Sequence, residues 1–145
     1  MLKSNMKIHQ PERGCSLGLK SAGPLKLVDQ VNAGLPIKAW DTFIEFSGLG
    51  NDEVAEAVLL PLRTLSRRRK QGKLGPEESD RLMRFSILVE KTVELFDGDR
   101  SEARHWLRTP QPALGRHTPI QLAQTTVGTR EVEDLIGRLE RGVYT

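Results

Sequence analysis

The chain has 145 residues, 28% of them charged and only 5% aromatic, with a formal net charge of +3. That length fits one domain, or two small modules sharing a core of Leu, Val and Ile. No apolar run approaches the ~20 residues of a membrane helix, and the one cysteine, Cys15, excludes an internal disulfide and fits a reducing compartment.

Charge is uneven along the chain. Residues 1–75 hold 12 Lys and Arg against 7 Asp and Glu, whereas residues 76–145 hold 10 against 12. A basic front and a mildly acidic back predict two kinds of partner, with nucleic acid a candidate for the front alone. Lys3 and Lys7 are followed by no hydrophobic stretch, so a secretory signal is not expected and a cytoplasmic location is.

Residues 1–23, rich in Gly and scattered charge, read as a flexible arm that buries too little apolar surface to offset its ordering. Pro24 suits the first position of a helix that Gly34 closes, and Pro36 opens another with Ile37, Trp40, Phe43 and Ile44 on one face, ending at Gly48. Asn51 is expected to cap a third helix, with Asp52 and Glu53 in its first turn.

After Leu60-Pro61 comes a basic helix, from Leu62 to Gly72. Two short helices joined by a few residues, the second basic, form a helix-turn-helix, whose second helix enters the DNA major groove with its N-terminal residues leading. Arg63, Ser66, Arg67 and Lys70 share a face by the i, i+3, i+4, i+7 rule, while Leu62, Leu65 and Arg69 fall largely on another. Thr64, Arg68 and Lys73 complete the candidate DNA contacts. The run Arg67 to Lys70 is equally what a solvated helix C-terminus carries, since cations are favoured there anyway.

Gly75-Pro76 opens the longest helix, with Leu82, Phe85, Val89, Val93 and Phe96 in one stripe. Asp99 and Glu102 resemble a capping box for a helix through Trp106 and Leu107, stopped by Pro110 and Pro112. Thr118-Pro119 starts a short helix. The last helix follows Thr126, with Val132, Leu135, Ile136, Leu139 and Val143 as an apolar stripe and a mixed charged face opposite.

Chemistry of the catalytic kind finds no support. The glycines are dispersed rather than set between a strand and a helix, and the histidines (His9, His105, His117) have no nucleophile or metal-ligand spacing near them. Glu77-Glu78 and Glu133-Asp134 fall on helix faces expected to be solvated. No enzyme, cofactor or metal is expected.

From about Asn51 to Thr145 the chain resembles the Xre/MbcA/ParS antitoxins, which pair with RES-domain toxins. The resemblance rests on the order and spacing of several short features: Arg63-Thr64-Leu65 with Arg67-Arg68; Gly75-Pro76-Glu77-Glu78-Ser79-Asp80-Arg81-Leu82; Ala103, Trp106-Leu107 and Pro110; Leu114-Gly115 with Thr118-Pro119; and Gly128 through Val132, Leu135 and Arg138 to Gly142-Val143-Tyr144. The chain departs from the pattern at the helix-turn-helix turn, where Leu59-Leu60-Pro61 stands in place of a small residue, and at Arg116, where a second Gly is usual.

The resemblance implies an all-α protein, a helix-turn-helix module over 24–75 fused to a toxin-binding domain over 76–145. It implies a type II antitoxin that blocks the NAD-binding pocket of an NAD-consuming RES toxin, forms a homodimer and represses its own operon at an operator DNA. Carried onto this sequence, the blocking element is the helix from Arg130 to Arg141 and the tail after it. Arg130, Asp134, Arg138, Arg141, Val143, Tyr144 and Thr145 are the candidate toxin contacts. The alternative is a stand-alone repressor whose C-terminal domain only mediates oligomerisation.

Overall fold

A computed structural model describes residues 13–20 and 23–142. Among them are eight α-helices and no strand: α1 (Pro24–Ala33), α2 (Ile37–Ser47), α3 (Asn51–Ala57), α4 (Leu62–Gln71), α5 (Pro76–Leu95), α6 (Arg100–Arg108), α7 (Pro119–Leu122) and α8 (Thr126–Glu140), with short 3₁₀ turns at Cys15–Leu17 and Pro112–Leu114. The all-α expectation holds.

The other elements are mounted on α5. Pro76 fits its first turn because that position needs no N–H, and the Glu78 carboxylate accepts from the Gly75 N–H at 2.8 Å, satisfying an orphan donor of the helix start. Its buried face carries Leu82, Met83, Phe85, Leu88 and Val89, while Val93 and Phe96 at the far end are only partly covered. α1, α2, α6 and α8 all pack against this helix. Phe85 meets Phe43 of α2 edge-to-face, centroids 5.7 Å apart, the arrangement aromatic quadrupoles favour. Each wholly buried Leu or Phe here contributes about 2 kcal/mol by leaving water.

Trp40 is core, as its helical spacing suggests: it is wholly buried, and its indole N–H donates to the Asn51 side-chain Oδ1 at 2.7 Å. That bond corrects one expectation. Asn51 does not cap α3; Gly50 holds the cap position, and the Glu53 carboxylate accepts its N–H at 2.9 Å. Asn51's side chain is drawn off because a buried indole N–H left without an acceptor costs more than an unmade cap.

Residues 13–20 correct a second expectation. They do not form part of a flexible arm but pack against α2 and α5. Leu17 and Ser16 are buried, and the buried Glu90 carboxylate of α5 accepts from the Gly14 N–H, the Ser16 N–H and the Ser16 hydroxyl. Arg13 closes the site with an ion pair to Glu94 at 3.0 Å. A carboxylate in a core must be hydrogen-bonded to be tolerated, and this segment supplies the donors. The rest of the arm assignment, residues 1–12 and 21–22, lies outside the described residues, as do Val143, Tyr144 and Thr145.

α8 closes the structure on the far side. The Thr125 hydroxyl accepts the Gly128 N–H at 2.9 Å, and Val132, Leu135 and Ile136 are buried as the stripe predicts. Gly128 itself is a point of contact between backbones: a Cβ there would stand 2.0 Å from the Leu122 carbonyl oxygen at the end of α7. Gly128→Ala must therefore push α7 and α8 apart. The expected loss is about 3 kcal/mol, at the upper end for overpacked sites, read from the urea unfolding midpoint.

Candidate functional site

The helix-turn-helix pair is α3 and α4, joined through Val58 to Pro61. Leu60's N–H donates to the Ala55 carbonyl at 2.9 Å, and the reversal is made by Leu59 at φ 53°. A leucine in that left-handed conformation costs about 1–2 kcal/mol, which explains why a small residue would suit the turn. Leu65 anchors α4 in the core.

Of the seven residues proposed for DNA, the structure brings four together. Arg63, Ser66, Arg67 and Lys70 lie exposed on one side of α4, and none of their charges is paired among the described residues. Thr64 is half-buried off that face. Arg68 points the other way: its Nε and Nη2 donate to the two oxygens of Glu78 at 2.8 and 2.9 Å, and its Nη1 to Gln71 at 2.8 Å. Lys73 donates to the Ala33 carbonyl at 3.3 Å, beside the Pro36–Lys73 bridge that ties α4's exit to α1 and α2. Arg68 thus holds α4 in place rather than projecting from it, whereas Lys73 lies exposed beyond the end of α4. The charge of Arg68 in the sequence looks the same as its neighbours'; only the 100° step per residue and the Glu78 carboxylate separate it from them.

A second set of arginines braces α6 against α2 and α3. Arg108 of α6 makes two bonds to Glu53 at 2.7 and 2.8 Å, Arg104 donates to the Ser47 carbonyl at 3.2 Å, and Arg100 stacks over Phe46 at 4.0 Å. Nothing in the local sequence signals these roles, because every partner lies on α2 or α3, some 55 residues back.

Both cap glutamates are held as anions. At Glu53 the hydrogen bond from Arg108 keeps the carboxyl below its ordinary range, more than offsetting burial. At Glu78 burial pushes up, but the bonds from Arg68 and the Gly75 N–H, with the charges of Arg68 and Arg81, bring it down. A lowered folded-state pKa means that the unfolded chain binds protons more readily. The stability from these pairs is therefore present above the ordinary value near 4.5 and is lost as pH falls through the lowered ones. We expect the urea midpoint to drop as pH falls below about 5.5 and on through the lowered values, with a shallower drop in Glu78→Gln.

On α8, Arg130, Asp134, Arg138 and Arg141 follow one another along one side. Asp134, Arg138 and Arg141 line an open polar groove of about 530 Å³ with Lys91, Glu133 and Gly137; Arg130 lies outside it. Lys91 pairs with Glu133 at 3.1 Å, which removes Glu133 from the purely solvated reading. Arg138 is half-buried, and its Nε is enclosed without an acceptor among the described residues. Lys91 and Gly137 are groove residues the sequence did not reveal, since Lys91 comes from α5, 42 positions away from its partner.

His105 and His117 are exposed, and no group of three His, Cys, Asp or Glu among the described residues could hold a metal ion. No helix among them is long and apolar enough to cross a membrane.

Residues 26–86 match the family model of the antitoxin Xre-like helix-turn-helix domain, and residues 91–142 that of the antitoxin Xre/MbcA/ParS C-terminal toxin-binding domain. An Antitoxin Xre from Yersinia enterocolitica is 38% identical over 130 residues, 89% of this chain and 88% of the relative. The chain belongs to the Xre antitoxin family. A second Antitoxin Xre, from Photorhabdus laumondii, is 33% identical over 131 residues, covering 90% of this chain and 88% of its own length. More distant is a protein of Sphingobium sp. named Prs ADP-ribosylating antitoxin, 25% identical over 135 residues, 87% of this chain and 85% of that one.

In this Xre-family antitoxin both matched spans run into α5, one ending at residue 86 and the other starting at 91. The DNA-type and toxin-type modules are thus attached to one continuous helix, by Arg68–Glu78 near its start and Lys91–Glu133 near its end. The family's two domains are a helix-turn-helix and a toxin-binding domain, so the chain is an antitoxin with DNA and a toxin as partners, not an enzyme.

Proposed function

We propose that this protein is the antitoxin of a type II pair. It holds a RES-domain, NAD-consuming toxin inactive by setting the charged side of α8 and residues 142–145 against the toxin's NAD-binding pocket. As a homodimer in the cytoplasm, it binds its operator through Arg63, Ser66, Arg67 and Lys70 of α4 and represses its own operon. The helix-turn-helix module is taken over 24–75 and the toxin-binding domain over 76–145.

The observation that carries the reading is the division of labour on α8. Its apolar stripe is consumed by the core, while Arg138 and Arg141 face an open polar groove and the Arg138 Nε has no acceptor among the described residues. Guanidinium groups left in such a state suit carboxylate and carbonyl acceptors on the surface of another protein, because Arg presents paired donors in a fixed plane. An NAD-consuming partner also agrees with the words ADP-ribosylating in the name of the Sphingobium relative.

Co-expression with the gene beside it tests this directly. A tagged chain should carry a RES-domain protein through size-exclusion chromatography as one complex, and the complex should shift the promoter fragment of its own operon. A chain that elutes alone beside that protein, yet still shifts the fragment, would fit a stand-alone repressor instead.

A further inference from the structure

We propose that Leu62, with Leu59 beside it, reads thymine in the operator by packing on the C5 methyl group in the major groove. This rests on α4 being the DNA-reading helix, and it adds what that helix recognises.

Leu62 is the first residue of α4 and is 53% exposed; Leu59, in the turn before it, is 52% exposed. Both line an open groove of about 420 Å³ with Ala55, Leu60 and Pro61. Neither exposed side chain is needed to fill the core. Leu59 is moreover held at φ 53°, where Gly would be unstrained. A strained, exposed apolar residue kept in place points to use rather than to folding.

The register places exposed Leu62 with the cations, not on the face of buried Leu65 where the sequence pattern sets it. At 100° per residue, Leu62, Arg63, Ser66, Arg67 and Lys70 occupy a single sector of about 140°. That sector is flanked by Arg69, paired to Asp41 at 3.0 Å, and by exposed Gln71, with buried Leu65 and Arg68 on Glu78 lying on the opposite side of the helix. Leu62 is therefore the apolar border of the positive face, at the end of the helix that leads into the groove. The cations select a duplex as the occupant, through its phosphates. Asp52 and Glu56 line the α3 side of the groove and disfavour phosphate there. What a duplex can offer to an apolar surface without phosphate is a base edge, and the apolar group on that edge is the thymine methyl.

The test begins by selecting duplexes from a random pool with the full-length protein. The best is then resynthesised with deoxyuridine replacing each thymine in turn, which removes only the methyl. One or two positions per half-site should lose about fourfold in affinity, the worth of one buried methyl. Leu62→Met should keep that discrimination. Leu62→Ala should lose it while melting at the same temperature, since Leu62 is not core. Salt-dependent binding with no deoxyuridine-sensitive position would overturn the inference and leave the DNA-reading assignment standing. So would discrimination undiminished in Leu62→Ala, and weaker toxin capture by that variant would then assign the groove to the protein partner. If no duplex is retained even at low salt, both the inference and the assignment of α4 fail.

Discussion

Arg67→Glu is expected to weaken the proposed operator binding about a hundredfold and to leave the fold unchanged. The loss has two parts. One contact to a phosphate or guanine edge, worth about 1–3 kcal/mol, disappears, and a carboxylate is set against the same phosphates. Arg67 is exposed and unpaired among the described residues, so its replacement disturbs no ion pair described there. The salt dependence carries a sharper signature. Each neutralised phosphate adds about −0.9 to the slope of log K against log salt, and the variant's slope should be shallower by about that amount. Arg68→Ala gives the contrast. Arg68 is tied to both oxygens of Glu78 and to Gln71, so its loss lowers the urea midpoint and leaves the salt slope where it was. A slope that falls equally in both variants would return Arg68 to the DNA-facing set.

Ending the chain at Arg141 should leave the melting temperature unaltered and weaken toxin neutralisation at least about tenfold, or roughly 1.4 kcal/mol of binding. Gly142 closes α8 with an N–H donated to the Leu139 carbonyl at 3.1 Å. The buried stripe of α8, Val132, Leu135 and Ile136, ends before it, so these core side chains stay in the shortened chain. What is lost is the tail proposed to reach the toxin. Growth rescue in cells expressing the toxin, scored beside the thermal melt, separates the two effects. Rescue as strong as with the whole chain would take the tail out of the mechanism.

The elements legible in the sequence were those whose signals are local. Pro24, Pro76 and Pro119 mark helix starts, Asp99 caps α6 as read, and the stripes on α5 and α8 follow the 3.6-residue period. Signals failed where a side chain had a distant claim on it. Asn51 looked like a cap until the Trp40 indole, 11 residues back, took its oxygen. Gly14 and Ser16 belonged by composition to an arm, yet their donors are committed to Glu90, more than 70 residues on. The candidate DNA face shows the same limit: Arg67 and Arg68 are adjacent and identical, and only Glu78 in the fold decides which one is free. The α8 groove needed Lys91 from another helix to be seen at all.

NAD⁺ consumption by the neighbouring RES-domain protein, followed as increasing amounts of this chain are added, tests the central claim most directly. Consumption should fall to the background rate at a fixed molar ratio of the two proteins, and the chain ending at Arg141 should need a large excess to do the same. Consumption that continues undiminished with the full-length chain in excess would contradict that claim.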